Sequence, residues 1–574
     1  MIHTYKDDKF IPEKKTLCPF NKKGKWELPE GGEDDDVKRW ENIIWCKAEE
    51  INEKANYQII LNEPNFENVV QGNYLNNCYF IAAVSSLCSR KNYISKLFHI
   101  KTRSLENIYG IFLFLNGKWR LVLLDDYLPC ININSTKNLC FGFSKCDNEL
   151  WVSFLEKAWA KVNGSYIRIG TGGFCNEAFD VLTDVYTEHI IIPSKKYELK
   201  KMKNDLWEKL AKAIEREYLI CLGTGNSDEI ENCGLMPAHA YTLINIYELE
   251  TTKGLEKVVK LRNPYGDYEY NGRWGDYSKV WTEELKKICD FKQKEDGIFH
   301  MPYEDMLKYF YVIYIAKLEK NYRYKDIKIS KTENVKCQII KMEIGSNETN
   351  CYINLYQKNP RIIKKNGNYP DKPVLGYIML AKEDENKNLE YIDSTTSITN
   401  SITNYQVHIA LEQNLSPGVY YIFCDVIYRY RYEENSGYTI SVYSKHSLKN
   451  LTNDTDNLNG DEYLKKVVYD CCKTKHLSKT STDKFDIYKR NLDLKFPFIA
   501  YCIYNRTNSK FKIEFKIKRD EDDINCSFYS EGNIEEAEEE VHTLIKIIEP
   551  KTLEVCLTIP YDFTSKYKLI FSKY

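Results

Sequence analysis

Of the 19 cysteines in this 574-residue chain, one is placed for chemistry. Cys78, in QGNYLNNCYFIAA, opens a stretch whose apolar residues recur at helical spacing, so it stands at the amino end of an expected helix. The helix macrodipole there favours a thiolate, which is the nucleophilic form of cysteine. Asn76 and Asn77, just before it, are of a type that caps helices. His239, in CGLMPAHAYTLINI, begins an expected strand and is a residue type that moves protons near neutral pH. Asn263, in KLRNPYGDYEY, carries an amide that can hold an imidazole in one orientation. Singly, each has an ordinary reading: a small buried residue, a structural histidine, a turn asparagine before proline. Together, in the chain order Gln71, Cys78, His239, Asn263, they supply an oxyanion donor, a nucleophile, an acid/base and its orienter. The reaction that uses all four is thiolate attack on a carbonyl with protonation of the leaving amine.

The flanking sequence indicates what must hold these groups. NNCYFIAAVSSLCSR and ELWVSFLEKAWAKV have helical spacing, the second with Trp151, Phe154, Leu155, Ala158 and Val162 on one face. IYGIFLFLNGKWRLVLLDDYLP reads as a hairpin turning at Asn116–Gly117. DLWEKLAKAIERE reads as a helix leading into the strands YLICLGTG, HAYTLINIYEL and KVVKLRNPYG. This mixture predicts an α+β core. In the last 250 residues or so, regularly spaced strands such as GVYYIFCDVIY, GYTISVYS, KFKIEFKIKR and KYKLIFSKY predict β-sandwiches. A weak repeat aligns Tyr438 with Tyr567 and suggests two of them.

The motifs around the chemical residues resemble those of the calpain family, whose protease core is papain-like. The family pattern Q-G-x-L-G-D-C-W/F stands here as QGNYLNNCYF, G-H-A-Y-S as AHAYT, and R-N-P-W-G as RNPYG followed by YNGRWGD. DDYLP, WVSFLEKAWAKVNGSY, GTGGFCNEAFD and DGIFHMPYEDMLKYF match further stretches in the family's order. The resemblance implies an α+β papain-like two-lobed core followed by two all-β C2-like sandwich domains, of the atypical type without an EF-hand module. The corresponding divisions are a tail or linker at 1–40, lobes at 41–183 and 184–320, and sandwiches at 321–448 and 460–574. It further implies Cys78 as nucleophile, His239 as acid/base, Asn263 as orienter and Gln71 as oxyanion donor. Gly173, Ala238 and Tyr265 would border the substrate.

Several positions depart from the family pattern. Gln71 precedes Cys78 by seven residues where the family has six, Ala238 replaces a glycine, and Tyr265 replaces an indole. In the loops where the resemblance implies calcium, Asn77 and Ile167 stand for carboxylates in the first, and Ile298 for one in the second. Glu269, Asp276 and Asp296 keep carboxylates there, so calcium is expected to be weak or absent and no cofactor is expected to be required. An EF-hand reading around Gly460 fails, because it puts Thr455 and Lys466 at ligand positions.

Composition narrows the remaining classes. Net charge is −2 and hydrophobic residues make up 43%, which argues against a nucleic-acid-binding protein and predicts globular domains. No apolar run reaches the 18 or so residues of a transmembrane helix, and the amino terminus lacks a signal-like apolar core. Reduced thiols and a cytoplasmic location are therefore expected. The 45 tyrosines fit an AT-rich codon bias. The acidic runs at 519–525 and 531–540 read as solvated loops, the stretch KNPRIIKKNGNYPDK is weak evidence for an anionic partner, and YDCCKTKH lacks a second ligand pair for zinc. The expected activity is limited cleavage of protein substrates, with a regulatory protein or membrane surface as a further partner of the C2-like domains. The competing reading is a catalytically silent adaptor that binds partners through those domains.

Overall fold

The computed structural model describes residues 4–21, 23–28, 37–51, 57–146, 148–330, 337–357, 373–398, 408–428, 437–458, 460–474, 478–490, 499–518, 527–528, 533–536, 541–548, 553–559 and 566–573. The chain divides into two compact units, 1–320 and 321–574. The basic stretch at 358–372, the acidic run at 519–525 and most of the one at 531–540 lie outside the described residues.

In the first unit, helix α1 (Cys78–Leu87) is apolar on nearly every side, and all its residues from Tyr79 to Leu87 are buried. Helix α2 (Trp151–Asn163) ends at Gly164, which adopts φ 88°, a left-handed C-cap that glycine takes without strain. Its Lys157 is fully buried and held by Asp125 at 2.5 Å and by the carbonyls of Asp125 and Tyr127. The DDYLP motif therefore serves as the socket for a buried lysine. The expected hairpin forms between Tyr109–Leu115 and Lys118–Leu124, with Asn116 and Gly117 both at positive φ, as a type I′ turn requires.

Residues 1–40 are expected to form a tail or linker. Part of that segment packs instead. Phe10, Leu17 and Cys18 are buried; the Asp7 carboxylate pairs with Lys161, and the Asp7 main-chain N–H donates to Asp125 Oδ2 at 3.1 Å. Isolated apolar residues in a charged stretch gave no periodic signal.

The second part of this unit is a six-stranded antiparallel sheet. Its strands are β1 (Thr187–Ile191), β2 (Leu219–Thr224), β3 (Ala240–Thr251), β4 (Gly254–Arg262), β5 (Ile298–Pro302) and β6 (Phe310–Ala316), in spatial order β5-β4-β3-β2-β6-β1. One face packs with the helix Lys196–Glu215 through Ile220, Leu222, Tyr241, Val259, Phe299 and Leu210. That helix starts well before the expected DLWEKLAKAIERE: its first turns are mostly exposed and lysine-rich, with only Leu199 and Met202 reaching the core. Helix α1 docks on the sheet by polar clamps: Thr242 Oγ1 donates to the Ala82 carbonyl at 2.8 Å, and Ser86 Oγ accepts from Ile220 N–H at 3.2 Å. Buried Arg262 adds bonds to Ser85 Oγ and the Val69 carbonyl.

The second unit begins with a β-sandwich. A four-stranded sheet (Arg323–Ser330, Gly437–Ser444, Thr349–Tyr356, His408–Leu415) faces a five-stranded one built on Pro373–Glu383, Gly418–Tyr428 and Gln338–Ile344. Ile340, Ile353, Ile378, Ile422 and Ile440 fill the space between them. Two further sheets follow, of five and four strands. Thr349–Tyr356 lies between Gly437–Ser444 and His408–Leu415, just as Phe511–Lys518 lies between Lys566–Lys573 and Val541–Ile548, so the weak sequence repeat is also a repeat of strand order. The expectation of all-β modules needs one correction. Gly460–Thr474 forms a helix, where only a polar break was read. Leu464, Val467, Val468, Cys471 and Cys472 recur at helical spacing and pack on both neighbouring sheets. The failed EF-hand stretch from Gly460 to Lys466 is thus continuous helix. Among the described residues no helix is long and apolar enough to cross a membrane.

Candidate active site

Antiparallel pairing of β3 with β4 puts Thr242 opposite Arg262, so His239, just before β3, and Asn263, just after β4, emerge side by side. His239 Nε2 meets Asn263 Oδ1 at 2.9 Å. The same oxygen accepts from Tyr265 N–H at 3.1 Å, and Asn263 Nδ2 donates to the Tyr268 carbonyl at 3.1 Å, so the amide cannot turn over. The Tyr265 ring stacks on the imidazole at 5.2 Å between centroids and 10° between planes. Tyr241 meets it edge-on, and Thr224 Oγ1 accepts from the His239 N–H at 2.9 Å. Sequence reasoning assigned no role to Tyr241 or Thr224. Their signal is the strand pairing, which a single sequence does not display.

Cys78 and His239 line one cleft of about 270 Å³, together with Gly173, Phe174, Ala238 and Tyr311. Cys78 is half-buried and begins α1 as expected. Its thiol is pushed up to about 12 by burial, against the main-chain N–H of Ala240, which favours the thiolate. Burial also lowers His239 to about 4, with the Asn263 bond opposing. Considered apart, then, both groups are held neutral. Only the mutual attraction of a thiolate and an imidazolium in this cleft offsets the burial.

The other expected residues are placed as follows. Gln71 is buried, its Nε2 donates to the Leu75 carbonyl at 2.9 Å, and its Oε1 has no partner. It does not line the cleft. Ala238 adopts φ 47°, in the left-handed region, and its N–H donates to the Gly225 carbonyl at 2.8 Å. The family's glycine fits that backbone without strain, whereas the alanine methyl costs about 1 kcal/mol. Asn77 does not cap α1 with its side chain. Its amide instead donates to Glu156 at 2.7 Å, a partner 79 residues away that no local pattern reveals.

Glu269, Asp276 and Asp296 lie near one another beyond Asn263. Glu269 Oε1 accepts from the Asp296 and Gly297 N–H groups at 2.9 and 2.8 Å. Burial, then Asp276, raise its pKa to about 7; burial raises Asp276 to about 6, with Asp296 adding repulsion. Asp276 Oδ1 is buried without a partner. These are hard oxygens of the kind calcium takes. Among the described residues, however, no three His, Cys, Asp or Glu gather around one point that could hold a metal ion. In the other loop, Ile167 and Asn77 are both buried and offer no carboxylate. Cys78, His239 and Asn263 form a thiol, imidazole and amide set whose chemistry needs no metal ion.

A papain-like α+β core with a cysteine on a helix start and a histidine–asparagine pair on a sheet defines a class of thiol proteases. Residues 5–317 match the family described as calpain family cysteine protease. The chain is 33% identical over 258 residues to a calpain-type cysteine protease, DEK1, of Zea mays, covering 44% of this chain and 12% of that protein. It is 29% identical over 341 residues to the human calpain-2 catalytic subunit (56% of this chain, 45% of that one), and 32% identical over 290 residues to mouse calpain-8 (48% and 39%). It therefore matches less than half the length of each of these relatives. The chain belongs to the calpain family of cysteine proteases.

Proposed function

We propose that this chain is a cysteine endopeptidase that makes limited cuts in protein substrates. The observation that carries the reading is the shared cleft, with Cys78 on one wall and, on the other, His239 locked by Asn263 and covered by Tyr265. Cys78 is the nucleophile. When substrate enters and excludes water, its proton passes to His239, and the thiolate attacks the scissile carbonyl. The main-chain N–H groups at the start of α1 favour the oxyanion. The Gln71 amide, now donating to Leu75, has a second N–H to contribute. His239 then protonates the leaving amine, giving a Cys78 thioester. A water molecule, deprotonated by His239, hydrolyses it and regenerates the thiol. Asn263 keeps the imidazole in the plane this shuttle needs.

The β-rich second unit is proposed to comprise two C2-like modules that bind a regulatory protein or a membrane surface. Closure of the core is proposed to follow substrate, partner or domain contacts, with any calcium at Glu269, Asp276 and Asp296 playing a minor part. The cytoplasm, where thiols stay reduced, suits such an enzyme.

An epoxide or leupeptin-type active-site probe tests the reading. It is expected to label the wild-type chain and to miss Cys78→Ala. Absence of labelling under every condition would favour the silent adaptor. Peptide cleavage in chelator and in millimolar calcium is expected to proceed at similar rates, and a strict calcium requirement would overturn the proposed mode of closure.

A further inference from the structure

Glu156 lies at the centre of α2 and is only 1% exposed. Among the described residues no cation pairs with it. Its two oxygens are held by neutral donors alone: Asn77 Nδ2 at 2.7 Å, and the Gly142 N–H at 3.1 and 3.0 Å. An ionised carboxylate taken out of water without a countercharge costs several kcal/mol. Against that cost the fold sets only these neutral donors.

What that group touches suggests why. Asn77 directly precedes Cys78, and its carbonyl accepts the first helical bonds of α1, from Phe80 and Ile81 at 2.9 and 3.2 Å. Its own Oδ1 is buried without a partner, so Glu156 is the one hydrogen-bond anchor of that side chain. Gly142 is gripped from both sides by α2, its N–H by Glu156 and its carbonyl by Ser153 Oγ at 2.7 Å. The approach is close enough that a Cβ at 142 would meet Glu156 Oε1 at 2.8 Å. The segment just before Gly142 abuts the Gln71–Asn77 loop, where a Cβ on Gly72 would meet the Cys140 and Phe141 carbonyls at 2.3 Å. One carboxylate thus ties α2, the 140–142 segment and the start of the nucleophile's helix.

We propose that Glu156 is a positioning residue for the nucleophile: by holding Asn77 and Gly142 it fixes the first turn that presents Cys78. The proposal rests on Cys78 being the nucleophile. Burial raises the Glu156 carboxyl to about 7, with the Asn77 and Gly142 bonds opposing. The titratable groups that face it are the Cys140 thiol and the Tyr166 phenol, both raised by burial and so neutral. The family pattern has an acid at both positions, Asp before the cysteine and Glu in L-E-K-A-Y-A-K. Asn77 puts an amide donor against Glu156 where a second acid would repel it.

The test is the rate at which iodoacetamide alkylates Cys78, read by mass spectrometry of its peptide from pH 5 to 9 alongside thermal melting. Asn77→Asp puts two carboxylates face to face and is expected to slow alkylation about tenfold at pH 8, with the gap to wild type at equal pH narrowing towards pH 6 as a proton is shared. Adding Glu156→Gln to Asn77→Asp exchanges donor and acceptor, with the glutamine oxygen still on Gly142, and is expected to restore the wild-type rate. Asn77→Asp reacting like wild type at every pH would overturn the proposal. So would a double variant no faster than Asn77→Asp at equal melting temperature. If the probe above fails to distinguish wild type from Cys78→Ala, the nucleophile assignment itself fails. If it distinguishes them and the Asn77 variants change nothing, only the positioning role does.

Discussion

The molecule contains the same small assembly twice. In the first unit His239 Nε2 meets Asn263 Oδ1 at 2.9 Å and the Tyr265 ring lies against the imidazole. In the second, His408 Nε2 meets Asn354 Oδ1 at 3.1 Å, and the Tyr356 ring lies 4.0 Å from the imidazole. The surroundings differ. His239 stands at a strand end beside a cleft that Cys78 shares. His408 stands within a strand directly opposite Tyr356, and Asn354 passes its bond on to Ser441 Oγ in the next strand. One pair leads to a nucleophile; the other forms a polar rung across three strands. A histidine–asparagine pair is a general way to fix a buried imidazole, and catalysis depends on what the free face of that imidazole can reach.

The largest expected effect separates the two histidines. His239→Ala is expected to lower kcat by on the order of 10⁴-fold with the fold intact, because it removes the acid/base. His408→Ala is expected to leave kcat and KM unchanged and to lower the melting temperature, since it strands the Asn354 oxygen at a cost of roughly 1–3 kcal/mol. Steady-state cleavage and thermal melting of the two variants check this, and a large kcat loss in His408→Ala would break the comparison. The asparagines should sharpen it with a smaller effect. Asn263→Ala is expected to cost about 10²-fold in kcat by letting the imidazole turn, with KM held. Asn354→Ala is expected to change melting alone.

Much of the protease core was readable before any fold was known. The Asn116–Gly117 turn, the Gly164 stop and the opening of α1 at Cys78 all depend on near neighbours in sequence, where backbone preference decides. Cys78, His239 and Asn263 were readable as a set because each lies in a run of distinctive residues. The partners of those residues were less accessible. Asn77 was read as a cap because caps are local, yet its amide goes to Glu156 in another helix. Gln71 is expected as an oxyanion donor from its place before Cys78, but that place does not reveal the bond from its Nε2 to the Leu75 carbonyl. The helix Gly460–Thr474 has regular apolar spacing, but the polar run before it has the composition of a linker and masks its start. Residue type and spacing identify a reacting set, but not the long-range hydrogen bond that each member makes.

A third histidine completes the comparison and carries the smallest expected effect. His300 is 2% exposed, sits among Tyr247, Trp281 and Phe291, and among the described residues neither ring nitrogen makes a well-formed hydrogen bond, the Cys289 main chain offering only a marginal one. It has neither an orienting asparagine nor a cleft, so it should contribute nothing to the reaction. Its pKa is lowered to about 3, first by burial and then by Lys260, with the Cys289 main chain opposing weakly. The sign for stability follows. Above pH 6.5 the imidazole is neutral in both folded and unfolded chains, and no cost arises. Below that, the unfolded chain takes up a proton that the native state refuses, so stability falls by up to about 1.4 kcal/mol per pH unit. His300→Phe keeps the aromatic packing and removes the titration. At pH 7.5 its melting temperature is expected to lie close to that of the parent or slightly above, since the unpartnered nitrogens are gone. Between pH 7 and 5 the variant's advantage is expected to widen steadily. His239, lowered to about 4, pulls in the same direction in both proteins and cancels from the difference. A constant gap across that range would mean that His300 is protonated in the folded chain and has a partner after all.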